Sequence, residues 1–276
     1  MKRASLATLA CPVCHAGLSM QGIPVDPVDP VENGSLHCPA CRQDYPVVQG
    51  IPHFIRPAEL NGFNRRFAKL YDRFAWAYQP FLAISFALIG ITEQRARREI
   101  LDRLEPGGGK VLEVSIGPGG NLPFLVDRPD VGEVFGLDIS LGQLRRCQSY
   151  TRREGWPVDL FLGNAEKLPF QDGAFDALVH MGGINFFSDK KKAIEEMIRV
   201  ARPGARILIG DENERGAKGY EHTIPGFKAS FKGQRAAVIP PIELVPPEMQ
   251  EVRLFDAWKG WFYCLEFRKP LLSEVG

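Results

Sequence analysis

From Lys110 onward the chain alternates short apolar runs with longer amphipathic ones. The apolar, β-branched runs predict strands at 110–115, 133–138, 158–163, 174–180 and 205–211. Between them, 3.6-residue periodicity predicts helices near 120–127, 141–154 and 189–202, the last closed by "RPGA". Strand and helix in strict alternation imply an α/β domain built on a doubly wound, mostly parallel sheet. The segment "EVRLFDAWKGWFYCLEFRKP" alternates with period two around Lys259-Gly260, so two further strands form an antiparallel hairpin and seven is the natural count. Upstream, Phe67, Leu70, Tyr71, Phe74 and Tyr78 recur at helical spacing and form an aromatic face, which Pro80 interrupts. A second helix over 92–104 opens on Thr92 as cap and ends before Pro106-Gly107-Gly108-Gly109. Its four arginines read as a solvated face, with an RNA-binding patch as the alternative.

Composition narrows the classes. At 276 residues and 45% hydrophobic content, the chain can bury one α/β core and still carry a small appended module. Thirty-four basic against 33 acidic residues leave a net charge of +1, which excludes a global pull toward nucleic acid or anionic membrane. The longest apolar run, "PFLAISFALIGI" at 80–91, is too short to span a bilayer, although it can line a greasy pocket or touch a membrane surface. The N-terminal "MKRASLATLAC" has too short an apolar run for an export signal, so a soluble, cytoplasmic protein is expected, of no specified oligomeric state.

Four of the six cysteines form Cys11-Pro-Val-Cys14 and Cys38-Pro-Ala-Cys41. Two such knuckles bring four thiolates together around Zn²⁺; two disulfides are the alternative, disfavoured without an export signal. The 23 intervening residues exceed the usual ribbon spacing, and "DPVDPVENG" absorbs the excess as a loop. His15 and His37 adjoin the knuckles as neighbours or surface groups. With all four positions filled by thiolate the zinc is structural, and can supply roughly 10 kcal/mol to a unit too small for its own core.

The stretch "VLEVSIGPGG", residues 111–120, runs from the first strand of the large domain into a glycine-rich turn. A dinucleotide fingerprint needs a third glycine where Leu122 stands, and no Gly-Lys-Ser/Thr follows, which excludes a P-loop. Glu113, just ahead of the turn, would repel a pyrophosphate and attract a cation. S-adenosylmethionine fits: it carries a sulfonium and an ammonium and no phosphate. Asp138 ends the second strand, where a carboxylate can receive ribose hydroxyls. Asn164 follows the third, placed to read an adenine amino group beside the Ala165 N–H. Alone, Asp138 reads as a helix cap and Asn164 as a turn residue; in order, at the ends of consecutive strands, they make a set.

"VLEVSIGPGG", "VFGLDIS", "GNAEKLPFQDGAFDALV" and "MIRVARPGARILI" together resemble the successive motifs of class I S-adenosylmethionine-dependent methyltransferases, most of all the ubiquinone/menaquinone C-methyltransferase-like group. The resemblance covers roughly residues 64–268. It implies a Rossmann-like seven-stranded sheet with an antiparallel last strand, beside the small zinc ribbon. It places Glu113, Gly117 and Gly119 around the methionine moiety, Asp138 on the ribose, and Asn164 and Ala165 at the adenine, with Ser115, Ile139, His180 and Met181 completing the expected cofactor contacts. Ser115 stands where the family usually has glycine, and Asn164 where aspartate is commoner. After the fourth strand, "HMGGINFFSD" carries Asn185 and Phe186 where relatives often have paired histidines. A finger ahead of a methyltransferase also resembles the bacterial guanine-N1 ribosomal RNA methyltransferases, whose finger, however, includes a histidine ligand. The "YPVVQGIPHFI" tail is similar to short zinc-ribbon modules found beside diverse methyltransferases.

Candidate catalytic groups are His180, Asn185, Asp211 and Glu212 at the strand ends; His180 also reads as a satisfied core histidine, and the two acids as the close of the fifth strand. Residues 1–57 are read as the ribbon, 58–109 as a helical cover, and 110–276 as the cofactor domain with a lid over 213–250. The lid brings Tyr220 and His222 as groups able to reach an acceptor; a plain structural excursion is the alternative. The expected function is methylation of a small, largely apolar acceptor such as a quinol, phenol or lipid-like metabolite. The alternative is RNA base methylation through the ribbon and Lys228, Lys232 and Arg235; a module that binds without catalysis remains a third reading.

Overall fold

A computed structural model describes residues 1–21, 30–55, 85–87, 89–223 and 238–271, of which 220–223 as backbone only. The aromatic segment 63–79 and most of the 80–91 run lie outside the described residues, as do Lys228, Lys232 and Arg235.

The N-terminal part is an antiparallel meander of β1 (Ser19–Gln21), β2 (Gly34–His37), β3 (Asp44–Val48) and β4 (Ile51–Pro52). Gln49 and Gly50 join β3 to β4 with φ of 53° and 82°, the two left-handed residues a tight hairpin turn requires.

The large sheet holds β5 (Gly109–Val114), β6 (Val131–Asp138), β7 (Asp159–Leu162), β8 (Phe175–Met181), β9 (Ala201–Glu212), β10 (Gln250–Ala257) and β11 (Phe262–Arg268). Its order is β10-β11-β9-β8-β5-β6-β7, with β11 antiparallel to both neighbours and β9, β8, β5, β6 and β7 mutually parallel. The seven-stranded Rossmann-like α/β fold with an antiparallel last strand is therefore as expected. The strand order reverses beside β5, so the crevice at the carboxyl ends of β5, β6 and β8 is where a ligand sits in such a sheet.

Helices α1 (Glu93–Leu101), α2 (Leu141–Glu154) and α3 (Lys190–Val200) are capped by the hydroxyls of Thr92 and Ser140 and the carboxylate of Asp189. Two expectations need correction. The segment 120–127 forms only a 3-10 turn at Leu122–Phe124, closed by i+3 bonds from the Phe124 N–H to the Asn121 carbonyl and from the Leu125 N–H to that of Leu122. "RPGA" does not close a helix: β9 starts at Ala201 and runs through it. Within 213–250 the described elements are α4 (Glu214–Thr223) and a 3-10 turn at Pro241–Leu244.

The ribbon is not a bead on a string. Leu9, Cys11, Leu36, Val47 and Phe54 share one buried cluster with Phe135, Phe161 and Phe170 of the large domain. His53 pairs in parallel with Leu162 and the Phe54 N–H donates to the Leu162 carbonyl at 2.8 Å, so the chain after β4 extends the sheet past its β7 edge. An exposed edge would invite foreign pairing; here the protein's own ribbon covers it. The buried Asp159 carboxylate ties the seam, accepting the Lys2 N–H at 2.9 Å and the Ser5 hydroxyl. The opposite sheet face packs against α1 and α2 and includes Phe86, edge-on to Trp258 at 5.0 Å. No helix among the described residues is long and apolar enough to cross a membrane.

Candidate active site and metal centre

The turn after β5 is held by left-handed backbone at Ser115 (φ 62°), Gly117 (56°) and Gly119 (85°). A Cβ added at Gly117 would meet nothing within 4 Å, so the turn opens onto free space there. At Gly119 it would meet Cys147 Sγ and Leu122 Cδ1 at 2.9 Å, which gives this glycine a packing reason as well.

Glu113 is buried beneath the turn. One carboxylate oxygen accepts from Asn121 Nδ2 at 2.6 Å, and Arg97 donates in turn to Asn121 Oδ1. The other oxygen is buried with no partner among the described residues. Burial pushes the Glu113 carboxyl up to about 8, against the pull of the Asn121 hydrogen bond and the Arg97 charge. Arg97 is not solvated: it lies buried, paired with Glu93, above Gly120, where a Cβ would strike its guanidinium.

Asp138 joins the two loops above β5 and β6. Its Oδ2 accepts the Gly117 N–H and its Oδ1 the Ser140 N–H, both at 2.8 Å. It is not the cap of α2; Ser140 is, accepting from the Gln143 N–H at 3.2 Å. Ile139, half-buried, sits between them. After β7, Asn164 forms a turn, its Oδ1 accepting the Glu166 N–H at 3.0 Å, and Ala165 is buried behind it.

At the end of β8, His180 is fully buried and donates from Nδ1 to the Val114 carbonyl at 3.0 Å, while Nε2 has no partner among the described residues. The core-histidine reading is right about burial and wrong about satisfaction. Burial lowers the pKa of the imidazole, partly offset by the Asp211 charge, so the ring is neutral near pH 7. Beyond it come Met181, Gly182 and Gly183, then Asn185, whose N–H donates to Asp211 Oδ2 at 2.8 Å and whose amide donates to the Glu212 carbonyl at 3.0 Å. Asp211 and Glu212 do close β9, yet Asp211 is also buried at the centre of this cluster. Tyr220 and His222 lie on α4, but their side chains are outside the described ones.

The four thiols of Cys11, Cys14, Cys38 and Cys41 lie within 4.8 Å of one another. Each knuckle closes alike: the His15 N–H returns to the Cys11 carbonyl and the Arg42 N–H to that of Cys38, both at 2.8 Å, with φ of 60° and 59°. The Tyr45 hydroxyl lies 3.1 Å from Cys11 Sγ. Four convergent sulfurs without disulfides suit a tetrahedral metal. His15 is exposed and His37 pairs with Asp44, so neither belongs to the set.

Residues 112–209, which span the β5 turn, Asp138, Asn164 and His180, match the family described as methyltransferase domain. They are similar to a methyltransferase domain. Residues 2–50 match a second family, Trm112p-like protein. A phthiotriol/phenolphthiotriol dimycocerosates methyltransferase of Mycobacterium ulcerans is 31% identical over 49% of this chain and 51% of its own. A demethylmenaquinone methyltransferase of Paenarthrobacter aurescens is 35% identical over 43% and 45%. The chain thus spans about half the length of the curated relatives it matches. A putative S-adenosyl-L-methionine-dependent methyltransferase of Methanococcus maripaludis has the same fold, with TM-score 0.54 at 18% identity over 79% of this chain and 98% of that one.

Four groups around the candidate site escape a reading of motifs: Arg97, Asn121, Lys190 and Tyr263. Arg97 had a signal, since it shares the helical face of Ala96, Ile100 and Leu101. Lys190 opens a Lys-Lys-Lys run that looks solvated, and Asn121 and Tyr263 have no local signature.

Proposed function

We propose that the chain is an S-adenosylmethionine-dependent methyltransferase acting on a small, largely apolar acceptor (a quinol, phenol or lipid-like metabolite), with a structural zinc ion in the ribbon. The observation that carries this reading is the unpartnered, buried oxygen of Glu113 beside a turn that is open at Gly117 and tied to Asp138. An orphaned acceptor in that place suits a cation bearing N–H groups and would repel a pyrophosphate. Glu113 would hold the cationic end of the cofactor, Asp138 its ribose hydroxyls, and Asn164 and Ala165 its adenine; when bound, the cofactor supplies a methyl group on a sulfonium leaving group.

The chain's own part is positioning and proton management. Orientation alone can supply roughly 7–11 kcal/mol. His180, fixed with its proton on Nδ1 by the Val114 carbonyl, presents a lone pair at Nε2 and can take a proton from a hydroxyl acceptor. The near-neutral charge and the acceptor named in demethylmenaquinone methyltransferase support an apolar substrate.

Calorimetry with S-adenosylhomocysteine and labelled-methyl transfer into fractionated cell extract test the reading. Binding, with label in the lipid or apolar pool, is the expected result. Label in RNA would replace the acceptor class, and absence of binding would overturn the methyltransferase reading altogether.

A further inference from the structure

Two buried side chains on one face of the sheet carry polar atoms that nothing among the described residues satisfies: His180 Nε2 and Tyr263 Oη, in residues 0% and 1% exposed. Register places them. His180 lies level with Ile209, and Tyr263 is directly opposite Asp211, two residues further along β9, so all point to the same side. They stand on β8 and β11 with β9 between; two strand spacings across and two residues along the strand put them about 12 Å apart. Asp211, fully buried, lies between them; its carboxylate accepts the Asn185 and Glu212 N–H groups at 2.8 Å. Lys190 approaches from α3, its ammonium 3.5 Å from Asn185 Oδ1.

The two orphans are opposite in sense. The Nδ1 proton of His180 is committed to Val114, so Nε2 can only accept. The Tyr263 hydroxyl, kept protonated first by burial and then by the charges of Asp211 and Glu212, is a donor. Leaving either unmet in a sealed core is destabilising, so a ligand that satisfies both gains what the free protein loses.

We infer that this pair is the acceptor site of the proposed methyltransferase, and that the acceptor is a hydroxylated ring or enol whose O–H donates to His180 while an oxygen accepts from Tyr263. The inference rests on the proposed function and narrows it from apolar acceptors in general to those with an ionisable hydroxyl. On deprotonation the O–H bond breaks, the proton joins the Nε2 lone pair, and the electron pair stays on oxygen. Asp211 faces the imidazolium so formed. The Phe187 ring packs edge-on to that of His180 at 5.2 Å, an apolar wall beside Nε2 that suits the ring of such an acceptor.

The test uses 4-nitrophenol, whose absorbance separates phenol from phenolate, and 4-nitroanisole, which lacks the O–H. With the wild-type chain, with and without S-adenosylhomocysteine, 4-nitrophenol should bind at least about tenfold more tightly than 4-nitroanisole and ionise at lower pH than free in solution. Tyr263→Phe should erase most of that preference while leaving S-adenosylhomocysteine binding intact. It should also leave the thermal midpoint equal or higher, because it deletes an unsatisfied hydroxyl. Equal binding of the two probes, no shift in ionisation, or a Tyr263→Phe variant indistinguishable from wild type overturns the assignment. Loss of S-adenosylhomocysteine binding in the wild type is the separate failure of the methyltransferase reading.

Discussion

The Gly117 N–H donates to Asp138 Oδ2 at 2.8 Å, so the turns that follow two adjacent parallel strands are tied together by one side chain. The other oxygen is equally occupied by the Ser140 N–H. An amide cannot copy this, because its NH₂ end must face one of two N–H donors. Asp138→Asn should therefore cost about 2–3 kcal/mol in folding through the loss of a charge-assisted bond. It should also weaken S-adenosylhomocysteine binding about tenfold or more. Denaturant melts and calorimetry check the two effects; an Asp138→Asn chain of unchanged stability would show that the clasp is idle.

Glu113 links the same site to pH. Its folded carboxyl sits near 8 against an ordinary 4.5, chiefly through burial. Between those values the folded state binds more protons than the unfolded one. The stability this group contributes is therefore complete below about 4.5 and is lost as pH rises through 8. A cationic ligand prefers the ionised form, so S-adenosylmethionine binding should release a proton, and affinity should rise from pH 6 toward 8 by up to about tenfold per unit. Calorimetry in buffers of different ionisation enthalpy counts that proton. Glu113→Gln should abolish the release and raise the thermal midpoint of the free protein at pH 8.5 above that of wild type.

The sheet was legible because each strand is an apolar run bounded by turn residues, and the antiparallel last pair announced itself by alternation around Gly260. The motif residues followed from their places at strand ends. What stayed hidden was pairing at a distance. Arg97 lies 24 positions from Asn121, and Tyr263 lies 52 positions from Asp211, so only the packed sheet brings them together. Local propensity also misled over 120–127, where the expected helix is a single 3-10 turn. The ribbon's strands had no strong periodicity of their own, and its docking on β7 is written in no single segment.

Ser115 occupies left-handed backbone at φ 62°, where a side chain costs about 1–2 kcal/mol. Glycine removes that strain but adds about 0.5–1 kcal/mol of freedom to the unfolded chain. Ser115→Gly should therefore stabilise modestly, raising the thermal midpoint by about 1–3 °C, with S-adenosylhomocysteine affinity kept or improved. Ser115→Val should lower the midpoint, because a β-branched residue fits left-handed backbone worst. A glycine variant that loses stability would mean that the serine hydroxyl makes a compensating bond.

The ribbon should unfold with the sheet rather than before it. Its four thiols can hold a metal, and Cys11 and Cys38 belong to the same buried cluster as Phe135 and Phe161. A metal held there would supply roughly 10 kcal/mol of binding energy to folding, which a chelator or Cys38→Ser would remove. Because the cluster is continuous across the seam, the loss should lower one cooperative melting transition of the whole chain. Asp159→Ala attacks the seam from the other side, stranding the Lys2 N–H and the Ser5 hydroxyl at a cost of about 2–3 kcal/mol. If the two act on one cooperative unit, their effects should be less than additive, since a ribbon already unfolded has no seam to lose. Circular dichroism of the helices and tryptophan fluorescence, followed through the same thermal scan, decide it. A separate low-temperature step after chelation, with the helical transition unmoved, would show two independent units and defeat the prediction.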